Sequence, residues 1–87
     1  MVINDFVDPT TGQAAMRIWS AVAPADRVPV DQAMTVNFQL PAGAFAVNEG
    51  MAVIVTTRIV NFTDQAELTP LLATVAQFAK FYADHYA

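Results

Sequence analysis

The sequence has no cysteine, one histidine and three glycines, and only four of its 87 residues are cationic. Without cysteine there is neither a disulfide framework nor a thiolate metal site, so the chain does not ask for an oxidising compartment. The lone histidine, His85, cannot supply a paired-histidine metal site. Arg17, Arg27, Arg58 and Lys80 are set against eight carboxylates, for a net charge of −4. That balance argues against tight non-specific nucleic-acid binding, which rests on many phosphate contacts. No apolar run approaches the ~20 residues that cross a bilayer. The opening residues, Met1 to Asp5, lack the basic and apolar regions of a secretory signal. The expectation is a soluble protein made inside the cell, with no membrane partner.

Reaction chemistry is equally sparse. No motif positions a nucleophile, and the carboxylates are scattered through loops and helix starts, so neither an enzyme nor a cofactor or metal site is expected. Asp84-His85 reads as a solvated helix end, where histidine suits the helix dipole. Asn61-Phe62-Thr63 matches a glycosylation sequon, which without a secretory signal reads as coincidence.

What the chain does have is apolar mass: 55% of its residues are hydrophobic and 14% charged. This is too apolar for disorder and more apolar than a small monomer needs. It points to one domain, 1–87, that buries surface against a partner.

The last 37 residues organise the rest. Met51 to Val60 is rich in β-branched residues and free of Pro and Gly, the signature of a strand. After Asp64 the apolar period changes from 2 to about 3.6. Leu71, Leu72, Val75, Phe78, Ala79, Tyr82 and Tyr86 form one helical stripe with Phe81 at its edge, giving a helical region over 64–85. Two starts compete: Asp64 with Glu67 as a capping box, and Thr69-Pro70 as an N-cap with proline in the first turn.

Upstream, residues 1–13 read as an edge strand or a free arm, and Ala14 to Val22 as a strand with Met16, Ile18, Ser20 and Val22 on one face. Ala33 to Leu40 alternates Met34, Val36, Phe38 and Leu40 with polar residues, which predicts a third strand. Residues 41–50 read as a loop whose Phe45 and Val47 either tuck back onto the domain or meet another subunit. The fold class expected is α+β: an antiparallel meander sheet over 14–62 with a C-terminal helix on one face.

Element order and strand character resemble the coat proteins of single-stranded RNA bacteriophages over residues 14–87. A Pro-containing link joins the first two strands, Met34 to Pro41 ends in proline before a loop, and Val53 to Thr63 runs into the final helix. The resemblance implies an interlocked homodimer, with Leu71, Leu72, Val75, Phe78, Phe81 and Tyr82 at its interface. It further implies a shell in which Phe45 and Val47 make contacts between dimers, a location in the virion after assembly in a host cytoplasm, and RNA as the partner of the open sheet face. Alternation gives that face as Arg17, Trp19, Thr35, Asn37, Gln39, Thr56 and Arg58. Trp19 would either stack a base or pack on a neighbouring strand. Arg58 would either pair with a carboxylate or contact phosphate. The short N-terminal region and the acidic charge depart from the family's pattern. The alternative from another class is a small dimeric α+β ligand-binding module.

Overall fold

The computed structural model describes residues 1–60 and 65–87. Strands β1 (Val2–Val7) and β2 (Ala14–Pro24) form a hairpin, and a 3₁₀ turn (Ala25–Arg27) leads to helix α1 (Val30–Gln39). A second hairpin, β3 (Ala44–Asn48) and β4 (Met51–Ile59), follows, and helix α2 (Gln65–His85) ends the chain. The sheet is antiparallel throughout, in the order β1-β2-β4-β3. The fold is therefore α+β, a four-stranded antiparallel sheet with a C-terminal helix packed on it. It is not a plain meander, because β4 inserts between β2 and β3.

Cross-strand partners share a face of a sheet. Ile18 lies opposite Thr56 and Ser20 opposite Ile54. Ile18 and Ile54 are fully buried, with Leu71, Val75 and Ala79 of α2 in the same core cluster. A β-bulge between Ala21 and Ala23 shifts the register, and Val22, Ala23 and Ala52 also join the core.

Two segments take a structure other than the one read from the sequence. The stretch read as a strand from Ala33 to Leu40 belongs mostly to α1. Its alternation also satisfies a helix: Ala33, Val36 and Leu40 are partly buried on one side, while Met34 and Phe38, one turn apart, are exposed on another. Pro29 immediately precedes the first helical residue, and Asp31 sits favourably in the first turn.

The loop predicted over 41–50 contains β3 and a two-residue hairpin turn at Glu49-Gly50, whose φ values of 51° and 80° are both positive. Residues 2–7 take the strand alternative, as an edge.

Helix α2 runs through Pro70 instead of starting there. The missing N–H costs one backbone hydrogen bond. The sequon and Asp64 lie outside the described residues.

Candidate assembly and nucleic-acid surfaces

The expected polar sheet face does not form as drawn. Thr35, Asn37 and Gln39 are on α1, not in the sheet. Thr35 donates its hydroxyl to the Asp31 carbonyl at 3.0 Å, and Gln39 is exposed at the helix end. Asn37 is structural: its Oδ1 accepts the Phe45 N–H at 2.6 Å, and its Nδ2 donates to the Phe45 carbonyl at 3.4 Å.

Thr56 and Arg58 are in β4 but on the helix-covered face, because they pair with Ile18 and Met16. Thr56 is buried, and Arg58 Nη1 donates to its hydroxyl and to the Thr57 carbonyl, both at 3.1 Å. Val53, Val55 and Ile59, the other alternation of β4, lie on the opposite face, where Val53 is nevertheless buried. The Met51–Val60 stretch has apolar residues in both alternations, so its pattern did not say which set would face the core.

Arg17 and Trp19 remain on the open face, across from Thr57 and Val55. The Arg17 guanidinium sits 4.2 Å from the centroid of the Phe6 ring, a cation–π contact that holds it over the sheet. Asn4 pairs with Arg17 and Val2 with Trp19, so both join this face. Together with Ala46, Asn48, Val53 and Val55 they line a shallow hollow of about 360 Å³. Its floor is apolar and its rim carries one guanidinium, one indole and two carboxamides. Such a surface can stack a flat ring and donate to an anion.

The helical stripe is largely used within the chain. Leu71 and Val75 are core, and Leu72, Phe78 and Tyr82 pack partly buried against it. Phe81 alone among the expected interface residues is well exposed, at 63%. Phe45 meets Tyr82 edge to face, with ring centroids 5.1 Å apart. Two residues expected at different interfaces thus pack on each other in one subunit. Val47 points outward and is 68% exposed.

The signal that sequence reasoning missed is on α1. Val30, Met34 and Phe38 recur every fourth residue and are 77%, 66% and 94% exposed. The spacing was visible, but the strand reading hid it. At the other edge of the sheet, β1 exposes Val2, Ile3 and Val7. Among the described residues no group of acidic or histidine side chains is arranged to hold a metal, and no helix is long and apolar enough to cross a membrane. His85 is exposed at the end of α2, its ring 4.7 Å from that of Tyr86.

Neither protein-family models nor functionally curated proteins match this sequence.

Proposed function

We propose that this chain is a structural subunit that dimerises and assembles with further copies of itself into a coat-like shell, with RNA held against the open sheet face. The observation that carries this reading is the exposure of large apolar residues at both edges of the sheet. One group is on α1 and the β3–β4 hairpin; at the far edge β1 exposes Val2 on one face and Ile3 and Val7 on the other. Large apolar patches on a small soluble chain mark contact sites. A single two-fold contact uses one self-complementary patch, whereas distinct patches at opposite edges permit contacts that propagate until symmetry closes them. Edge strand β1 also offers backbone groups for pairing with another chain.

Arg17 and Trp19 support the RNA part of the reading. One arginine per subunit is too little for tight binding by a free dimer, but repeated over a shell it gives many weak phosphate contacts at high local concentration. The departure of Thr35, Asn37, Gln39, Thr56 and Arg58 from this face leaves little means of reading sequence, so RNA retention would be non-specific.

Negative-stain microscopy of the purified protein, together with its absorbance ratio at 260 and 280 nm, tests the proposal. Uniform particles carrying nucleic acid are expected, with less nucleic acid in Arg17→Gln particles. Discrete small species free of nucleic acid would reject it. One observation favours the ligand-binding module as a second reading: the open-face hollow falls within the ~300–1,000 Å³ common for small-molecule sites. A dimer that grows no further and binds a planar anion would support that reading instead.

A further inference from the structure

We infer that α1 is the seam of the dimer: two copies of this chain pair their α1 helices antiparallel about a two-fold axis at Met34. The inference rests on the self-assembly reading and moves the dimer contact from α2, whose stripe is largely spent on the subunit's own core, to a helix whose apolar stripe is uncovered. Val30, Met34 and Phe38 are equally spaced, at about 6 Å per step along the helix axis. The stripe is therefore symmetric about Met34. A two-fold axis through that residue places each Phe38 against Val30 of the other copy.

Beside the stripe lies an apolar hollow of about 180 Å³, lined by Val28, Ala33, Phe45 and Ala52 together with Val30 and Met34. Its volume is comparable to the roughly 150 Å³ of an apolar cavity known to admit benzene, the size of a phenylalanine ring. Phe38, the most exposed large apolar residue among those described, is the knob, and the hollow next to Val30 is the hole. The same subunit carries both, as a contact between identical faces requires.

Charge does not stand against a second copy at this face. The chain carries a net charge of −4, so two copies repel unless they meet over uncharged surface. The stripe and hollow contain no charged residue. Asp31 is the only ionisable residue of α1. In the antiparallel pair it lies level with the partner's position 37, about 9 Å along the axis from the opposing Asp31. A basic partner would find a single carboxylate, Asp31, on this helix. Met34 at the axis adapts its shape to its own copy. Val30, Met34, Phe38 and Val47 each offer on the order of 100 Å² or more, which with the rim of the hollow approaches the roughly 800 Å² per partner of a stable interface.

Because the chain has no cysteine, single-cysteine variants of the full chain report the seam directly. Met34→Cys puts two thiols at the axis, and Thr57→Cys, exposed on the open sheet face, is the control. Under mild oxidation Met34→Cys should cross-link on the order of a hundredfold faster than the control, because the pair is held at high effective concentration. Phe38→Asp should retain its far-UV circular dichroism, since that side chain is solvent-exposed, and should weaken association on the order of a hundredfold or more. Equal cross-linking rates for the two cysteine variants, with the wild type still associating, would overturn the α1 seam and leave the assembly reading standing. A monomeric wild type would overturn both and assign the face to a different protein.

Discussion

Phe45 and Tyr82 meet edge to face with their ring centroids 5.1 Å apart, joining the edge strand β3 to the end of α2. Tyr82 stacks in turn on Tyr86, whose hydroxyl donates to Gln32 Oε1 on α1 at 3.2 Å. The pair therefore sits where the second hairpin and both helices converge. Phe45→Ala should lower stability by about 2–4 kcal/mol through lost burial. In a double-mutant cycle with Tyr82→Ala the two losses should fall short of additivity by about 0.5–1.5 kcal/mol, the worth of an aromatic pair. Urea denaturation of the four proteins measures this, and strict additivity would deny the contact.

Asn37 fastens α1 to the same strand by bonding both backbone groups of Phe45. Asn37→Ala leaves that edge without its side-chain partner and should cost about 1–2 kcal/mol. For a domain of this size the melting temperature should fall by roughly 4–16 °C. Hydrogen exchange should show the Phe45 amide losing more protection than amides in β2. Uniform loss along the sheet would mean that Asn37 stabilises the fold without fastening this edge.

Glu49 is the only non-glycine residue with positive φ among those described, at 51°, and it begins a turn in which Gly50 has φ of 80°. Asparagine tolerates this conformation better, and Asn-Gly is the preferred pair for such a hairpin. Glu49→Asn should raise stability by about 0.5–1 kcal/mol and increase the melting temperature by a few degrees. An unchanged or lower melting temperature would show that the turn is not strained at Glu49.

These details separate what was readable in the sequence from what was not. The helical period from Leu71 to Tyr86 and the β-branched run from Met51 to Ile59 specified α2 and β4, because length and composition agreed. The segment from Val30 to Leu40 did not announce itself, because Met34, Val36, Phe38 and Leu40 satisfy a period of 2 as readily as a helix with one exposed stripe. What distinguishes the alternatives is packing, such as the bonds from Asn37 to the Phe45 backbone in β3, which the hydrophobic pattern does not report. The second hairpin was hidden by Glu49, an unusual residue for its turn. Of the polar face, Arg17 and Trp19 were legible because β2 has one plainly apolar alternation. Thr56 and Arg58 were misplaced because both alternations of β4 contain apolar residues.

The β1–β2 turn carries a pH dependence. Asp8 Oδ1 accepts the Thr10 N–H and Oδ2 accepts the Thr11 hydroxyl, both at 2.9 Å, and these bonds hold its carboxyl below the usual aspartate value. Because the folded group is the stronger acid, its stabilising contribution is fully present above the ordinary carboxylate range, near pH 4. It is lost as pH falls through the lower folded value. A carbon-13 titration of the Asp8 carboxyl should show a midpoint below that of an aspartate in an unstructured peptide. Coincident midpoints would contradict the bonding at this turn.

Sedimentation velocity of the wild-type chain at micromolar concentration reads self-assembly without any substitution. The chain has a mass of 9.4 kDa. A dimer or larger species is expected across the whole concentration range, with a discrete boundary for the closed assembly. A single boundary at the monomer mass, unchanged as concentration rises, would contradict self-assembly.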